Sequence, residues 1–257
     1  MDAECVFERA ERKFLLDPAQ ERALRRALSG RMHPDLYSPY PVMSLYYDTP
    51  DYLLVRRSLE RPVYKEKLRL RSYGVPTPDS TVFLELKKKL GKTVFKRRAP
   101  MTLSGALRLM DGHPPAERDQ ILREITAFTD FYPLAPRALI AYERTALVDN
   151  SDPLLRLTLD NNMRYRAEDL DLAHGAQGAP LPFGGGCIVE VKLTGAMPLW
   201  LAHLFSSLAA CPQPISKYGT CYQQCLLPAL LDARRPAPAV LRPACTQHDL
   251  TGGLTCA

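Results

Sequence analysis

Length, composition and charge place the chain among ordinary soluble globular proteins, because 257 residues, 46% hydrophobic and 24% charged, suffice for one large domain with a buried core. The first residues are too charged for a signal peptide, and no apolar run approaches the roughly 18 residues of a membrane span. We therefore expect neither a secreted nor a membrane-spanning protein, and the net charge of +6 fits an acidic partner without naming one.

The first half of the chain predicts mainly strands. Asp17 and Pro18 are typical of a helix start and Gly30 of a helix end, so we expect a helix from Pro18 to about Leu28. The turn at Gly91 predicts a β-hairpin. The predicted strands are Cys5–Leu16, Met43–Tyr47, Tyr64–Ser72, Thr81–Leu90 and Thr93–Arg98.

The second half mixes helices and strands. The predicted helices cover about Ser104–Tyr132, with a break at Pro114 and Pro115, then Pro198–Ala210 and Tyr218–Ala233. The predicted strands are Arg137–Val148, Leu154–Arg166 and Cys187–Leu193. We expect one domain over residues 1–232 and a disordered tail rich in Pro and Ala over residues 233–257.

The seven cysteines are odd in number and show no paired C-x-x-C spacing. Cys221 and Cys225 lie one helical turn apart, which packing explains better than a metal site. This usage predicts the reducing cytoplasm as the compartment.

The segment Tyr64–Tyr73, YKEKLRLRSY, crowds four cations onto one face of a strand. Side chains alternate between the two faces of a strand. One face therefore carries Lys65, Lys67, Arg69 and Arg71. Like charges at this spacing repel each other, so a bound polyanion would explain the row.

Five further strands repeat this pattern. Their polar rows are Phe83, Glu85, Lys87 and Lys89; Val94, Lys96 and Arg98; Ile140, Tyr142 and Arg144; Arg156, Thr158 and Asp160; and Ile188, Glu190 and Lys192. A solvated outer face explains any single row, but six mainly cationic rows exceed the mixed signs of a normal surface. Arginine forks and lysine point charges together suit a run of phosphoryl groups.

At least seven strands, joined mostly as hairpins, require a sandwich or a barrel. The core of a sandwich must be apolar, whereas these strands repeat a charged face. We therefore predict a barrel that is open as a tunnel, with helices packed against its apolar outer face.

Carboxylates on the charged faces need their own reason, because they would repel phosphate. A divalent cation held by carboxylate and phosphate oxygens supplies one. Glu190 is the stronger candidate ligand, and Glu11 and Glu85 are weaker ones. For Glu85, an ion pair with a neighbouring lysine is an equally good explanation.

Seven motifs, in order from about Glu8 to Leu227, resemble the VTC domain of polyphosphate polymerases, within the triphosphate tunnel (CYTH-like) superfamily. They are ERKFLL, YKEKLRLRSYG, VFLELKKKLGKTVFKRR, ALIAYERTAL, LRLTLD, IVEVKLTG and ISKYGT. The resemblance implies an α+β fold, an antiparallel eight-stranded β-barrel that forms a basic tunnel and is flanked by helices. It also implies that basic residues hold a triphosphate or polyphosphate and that Glu190 binds Mn²⁺ or Mg²⁺.

The resemblance also implies the site residues by position. Those assigned to catalysis are Lys13, Arg69, Arg71, Lys87, Arg144, Arg156 and Lys217. Those assigned to substrate binding are Lys96, Tyr142 and Ser216, together with Lys67 from the basic row. All except Ser216 and Lys217 already lie on the charged faces that strand alternation predicts.

The first strand departs from tunnel triphosphatases and the related cyclases, which carry two alternating glutamates before a lysine. Arg9 takes the place of the first glutamate, which leaves Glu11 and Lys13. The missing glutamate would be one of the carboxylates beside the metal in those enzymes, and its absence favours the polymerase branch over the triphosphatases. We therefore predict metal-dependent transfer of the γ-phosphate of ATP onto a growing inorganic polyphosphate chain.

Two alternative functions stay open, a tunnel triphosphatase acting on nucleoside triphosphate or polyphosphate, and a non-catalytic module that binds polyphosphate or nucleotide. Nucleic acid is not an expected partner, because the lined strands lack an aromatic stacking platform. The expected partners are ATP, inorganic polyphosphate and a separate membrane protein, since related polymerases work beside membrane proteins. The expected location is cytoplasmic, at the inner face of a membrane through that partner.

Overall fold

The structure is a computed structural model that describes residues 9–91, 93–115 and 119–233. The predicted tail lies outside the described residues, apart from residue 233, and so does the start of the first predicted strand. None of the helices in the described ranges is both long and apolar enough to cross a membrane.

One antiparallel sheet organises the molecule. Its strands are β1 Arg9–Leu16, β2 Met32–Pro34, β3 Tyr40–Asp48, β4 Tyr64–Tyr73, β5 Thr81–Leu90, β6 Thr93–Thr102, β7 Ala135–Asp149, β8 Arg156–Arg166, β9 Ala179–Pro180 and β10 Cys187–Thr194. Eight of them form a continuous path in the order β1-β10-β8-β7-β3-β4-β5-β6, with β2 added to β7 and β9 to β8. Within the described residues no backbone ladder joins β1 to β6, so the sheet is a curled half-barrel. The predicted α+β fold with eight antiparallel strands and flanking helices is confirmed.

The helices are α1 Pro18–Leu28, α2 Leu53–Leu59, α3 Leu103–Met110, α4 Gln120–Phe131, α5 Leu199–Ser207, α6 Lys217–Cys221 and α7 Leu227–Ala233, with a π-helical turn, Tyr222–Leu226, between the last two. Helix α1 begins as predicted, because Asp17 accepts hydrogen bonds from the backbone N–H groups of Ala19 and Gln20. The helical region predicted for Ser104–Tyr132 is interrupted as expected, because Pro114 and Pro115 lie between α3 and α4, whereas α2 was not predicted.

Two apolar cores cover the outer face of the sheet. Helices α3 and α4 pack on β3, β4 and β5 through Leu68, Leu70, Leu84 and Ile125. Helices α1 and α5 pack on β1, β8 and β10, where the rings of Phe14 and Phe205 stack with centroids 3.8 Å apart. The strand residues of both cores occupy positions that alternate with the charged rows.

A third core, here called the apolar plug, fills part of the concave face. It joins inward-facing strand residues to α2 and the C-terminal helices. Its main members are Val42, Tyr46, Tyr52, Val55, Ile140, Tyr142, Ile188, Tyr218, Cys221, Tyr222 and Leu226. Only the remaining part of the concave face is therefore charged, and the plug places α6 beside it.

Asp48 fastens the plug to the sheet. Its buried carboxylate accepts hydrogen bonds from the backbone N–H groups of Thr49, Leu54 and Val55 at 2.8 to 3.0 Å. It also accepts one from the Tyr218 hydroxyl at 3.0 Å. A single side chain thus holds the start of α2 and a residue of α6 at the end of β3.

We expect Asp48→Ala to lower the free energy of unfolding by about 3 kcal/mol, because three buried N–H groups and one hydroxyl lose their acceptor. Chemical denaturation measures this change. The matched control is Asp79→Ala, an exposed position where the change should stay within about 0.5 kcal/mol. Equal stability of the two variants would contradict the anchoring role.

Candidate functional site

The charged rows predicted from strand alternation meet on the concave face. In the β4–β5 ladder, Lys67 lies opposite Lys87 and Arg69 lies opposite Glu85. Lys65 and Lys89 form a second directly opposed pair of cations. Like charges in such positions destabilise a sheet. The site therefore needs counter-charges, and the structure supplies them in three groups.

The first group surrounds Glu85, which is 2% exposed. Its carboxylate lies 2.6 Å from Arg69, 3.0 Å from Lys96, 3.5 Å from Arg98 and 3.7 Å from Arg71. Burial alone would raise the pKa of Glu85, but these cations overcome it and lower the pKa to about 2. Glu85 is thus a permanent counter-ion enclosed by cations. These pairs favour the ion-pair interpretation of Glu85 over a role as a metal ligand.

The second group surrounds Asp160, which was not among the predicted site residues. The Arg144 guanidinium donates to both carboxylate oxygens of Asp160, at 2.7 and 2.8 Å. Lys217 Nζ donates to the same carboxylate at 2.6 Å. Asp160 is completely buried; burial would raise its pKa, but Lys217 and Arg144 hold the pKa below its ordinary value. It joins a cation of α6 to a cation of β7.

The third group lies where β1 meets β10. Lys13 Nζ is 3.0 Å from the Glu11 carboxylate, and Lys192 Nζ is 3.7 Å from the Glu190 carboxylate. Glu11 and Glu190 are diagonal neighbours in the ladder, within reach of each other's side chains. Burial opposes ionisation of Glu190, but Lys13 and Lys192 prevail and its pKa falls to about 2.

Lys67 is different from these paired cations. Its Nζ donates to the Ser216 hydroxyl at 2.9 Å, and no carboxylate of the described residues lies within ion-pair distance. Burial, followed by the charges of Lys65 and Lys87, lowers the pKa of Lys67 to about 7. Lys67 is therefore a cation that an incoming anion would stabilise.

Hydroxyl groups orient Arg69 and Arg71 of β4, of which Arg69 is half-buried and Arg71 is buried. Arg69 donates to the Tyr46 hydroxyl at 3.2 Å, and Arg71 donates to the Ser44 hydroxyl at 3.3 Å and the Tyr142 hydroxyl at 3.4 Å. Tyr142 thus touches the predicted arginine set, whereas Tyr46 was missed. Strand alternation places Tyr46 on the same face as Ser44. The ladder places Ser44 opposite Arg71 and Tyr46 opposite Arg69, so both lie on this face.

Not every predicted residue joins these groups. Arg156 is exposed and stands at the beginning of β8, opposite Lys192 in the ladder. Lys87 is exposed on the same concave face as Lys67. Neither makes an ion pair within the described ranges. Both charges are therefore available to a ligand.

Aromatic rings stand at one end of the charged face. The rings of Tyr40 and Phe83 each meet the ring of Tyr73 edge to face, with centroids 5.7 Å apart. The Arg98 guanidinium lies 3.6 Å from the centroid of Phe83. The lined strands therefore do carry clustered aromatic side chains at this end.

The arrangement is suited to a polyanion. Cations outnumber carboxylates on the charged part of this face, and two buried carboxylates, Glu85 and Asp160, hold arginine forks in fixed orientations. Phosphate oxygens match such forks and the lysine charges between them. Within the described residues no cluster of three or more His, Cys, Asp or Glu side chains forms a metal cage.

Comparison with known proteins identifies a family and related proteins. A family model described as the VTC domain matches residues 8–226. Two curated relatives, both named vacuolar transporter chaperone complex subunit 4, are 27% and 28% identical over 205 residues; they come from Trypanosoma cruzi (strain CL Brener) and Trypanosoma brucei brucei. Each match covers 66% of this chain but 26% of the relative, so the chain spans about a quarter of their length.

A solved structure shares the fold. It is the crystal structure of a candidate adenylate cyclase from Bacillus halodurans, with a TM-score of 0.52 and 14% identity. The superposition covers 80% of this chain and 92% of that one. At this identity the likeness shows the fold alone.

Binding of tripolyphosphate should take up a proton at Lys67. Without an anion its pKa is about 7, and a bound polyanion favours the charged form and raises that pKa. Proton uptake should therefore be largest between pH 7 and 10, and affinity should fall as the pH rises through this window. Calorimetry at pH 8, in buffers of different ionisation enthalpy, measures the uptake.

Lys67→Met should abolish most of this proton uptake. Lys88→Met is the matched control, because Lys88 lies one strand away with its side chain on the opposite face. A binding enthalpy that does not depend on the buffer in the unchanged protein would contradict the role of Lys67.

Proposed function

Because the chain belongs to the VTC domain family, we propose that it is a polyphosphate polymerase that transfers the γ-phosphate of ATP onto a growing inorganic polyphosphate chain. One observation carries the proposal. It is a half-barrel whose concave face gathers lysines and arginines around two buried carboxylates, Glu85 and Asp160.

The phosphates would be held by cations from six strands and from α6. This set is Lys13, Lys67, Arg69, Arg71, Lys87, Lys96, Arg144, Arg156 and Lys217, with the hydroxyls of Tyr142 and Ser216. Glu85 and Asp160 support binding indirectly, because they fix the guanidinium planes of Arg69 and Arg144 before the ligand arrives. A fork that is already oriented loses less conformational entropy on binding.

The chemistry would be a direct, in-line displacement. An oxygen of the terminal phosphate of the polyphosphate chain forms a bond to the γ-phosphorus, and the bond between that phosphorus and the β,γ-bridging oxygen breaks. ADP leaves with the bridging oxygen and its electron pair. Such a transfer depends on positioning and charge stabilisation, so the basic face needs no covalent nucleophile.

Mn²⁺ or Mg²⁺ would be held by Glu190 together with Glu11. Both carboxylates reach the concave face from neighbouring strands, and within the described part of the chain each forms an ion pair only with a lysine of its own strand. Two carboxylates leave the remaining positions to phosphate oxygens and water, as these ions prefer. The bound ion would neutralise charge that develops on the transferred phosphoryl group.

We also propose a partner. The matched relatives are named as subunits of a complex, and this chain spans about a quarter of their length. A separate membrane protein at the cytoplasmic face of a membrane would receive the growing polyphosphate. Co-purification with membrane proteins of the source cell would test this.

The polymerase assay uses the purified chain with ATP and Mn²⁺. We expect polyphosphate that can be stained on a gel, and a rate lowered at least about 100-fold by Arg144→Ala, because one oriented charge on the phosphoryl group is lost. Arg12→Ala is the matched control, an exposed arginine of β1 on the opposite face from Lys13. Release of orthophosphate alone would instead indicate a triphosphatase.

Glu190→Gln separates an enzyme from a binding module. We expect the variant to lose turnover while it keeps most of its affinity for tripolyphosphate, since it removes a carboxylate and no cation. Glu143→Gln, an exposed position of β7, should change neither quantity. If ATP and tripolyphosphate bind but the unchanged protein forms no product with either metal, the chain is a binding module.

A further inference from the structure

The aromatic end of the concave face is built into the charged rows. Tyr73 follows Arg71 by two residues on β4, and Phe83 lies opposite Arg71 in the ladder. The two rings therefore continue the same faces that carry the cations. Two residues along a strand span about 6.8 Å, so the Tyr73 ring lies one step beyond Arg71, while Phe83 stands beside Arg71.

Arg98 connects the rings to the phosphate-binding cations. Its guanidinium lies 3.6 Å from the Phe83 centroid and donates to the Tyr73 hydroxyl at 3.1 Å. Its Nε lies 3.5 Å from the Glu85 carboxylate. A planar cation stacked on a ring and fixed by a buried counter-ion offers a flat, oriented surface for another planar π system.

Core packing does not account for these rings. Tyr73 is 43% exposed, Phe83 and Tyr40 are half-buried, and neither Tyr73 nor Phe83 belongs to the three cores. Elsewhere on the concave face, tyrosines such as Tyr46 and Tyr142 are buried. Exposed aromatic faces beside a phosphate-binding site are typical of stacking with a nucleobase.

We propose that Tyr73, Phe83 and Arg98 form a stacking platform for the nucleobase of the bound nucleoside triphosphate. The phosphate chain would then run from the platform past Arg71 toward Lys67, and the sugar would bridge the step between Tyr73 and Arg71. Because the platform offers ring faces, it would tolerate different bases and prefer purines, which stack over a larger area. This inference rests on the proposed function, since it assumes that the cations bind the triphosphate.

The test compares two ligands that differ by the nucleoside. Binding of ATP and of inorganic tripolyphosphate is measured by calorimetry, without turnover and in the absence of metal. Tyr73→Leu should weaken ATP binding by at least about fivefold, as the loss of one stacked base implies. Affinity for tripolyphosphate should stay within twofold, because no cation is removed.

Control variants guard against trivial explanations. Tyr64→Leu is matched, since Tyr64 lies on the same strand, is 47% exposed and stands at the opposite end; it should alter neither affinity. Tyr73→Phe keeps the ring and should keep most of the ATP affinity. Phe83→Leu removes the second ring, so it provides the same comparison if Tyr73→Leu does not fold.

The outcomes separate this inference from the proposed function. If the unchanged protein binds tripolyphosphate but Tyr73→Leu and Phe83→Leu leave ATP affinity intact, the platform is overturned while the proposed function stands. Equal weakening of both ligands would also overturn it, because it would indicate a general distortion of the face. If the unchanged protein binds neither ligand, the proposed function fails and the platform fails with it.

Discussion

The central physical constraint is the repulsion among cations that share one concave surface. A sheet that curls brings the lysines and arginines of different strands closer than a flat sheet would, and burial strengthens their repulsion. Glu85 and Asp160 relieve it at two points, where each holds two or more cations within 4 Å. Both carboxylates are almost without solvent exposure, which is tolerable because each forms ion pairs with two or more cations.

The ion pair of Asp160 also joins the sheet to helix α6. Lys217 does not belong to the sheet, and it reaches Asp160 only because the plug seats α6 against the concave face. The backbone N–H of Gln213 also donates to the carbonyl of Lys13 on β1. The apolar plug and the charged groups are therefore interdependent. Burial of the plug's apolar side chains holds α6 in place, so that Lys217 pairs with Asp160, a carboxylate that would otherwise be costly to bury.

Strand alternation predicted which side chains share a face of the sheet, but not which cation pairs with which carboxylate. Because the period of a strand is two, Lys67, Arg69 and Glu85 could be assigned to one surface from the sequence alone. Which carboxylate meets which cation depends on register and curvature, and therefore the role of Asp160 was missed. The aromatic end was missed for a related reason, since each of its strands contributes a single ring. Helix α2 escaped prediction because the residue at its N-cap position, Tyr52, is left-handed and makes no capping bond. The first turn is capped instead by Asp48, from the end of β3.

Carboxylates neutralise the cations of the concave face more completely at one end of the β4–β5 ladder than at the other. Near the aromatic end, Glu85 neutralises part of the charge of Arg69 and Arg71. Further along the β4–β5 ladder, the opposed pairs Lys65–Lys89 and Lys67–Lys87 have no carboxylate within ion-pair distance among the described residues. An anionic chain would therefore be bound in fixed geometry at the arginines and would gain most by relieving repulsion among the lysines. A ligand longer than one phosphate satisfies both conditions, because a single phosphate cannot span several residues of strand.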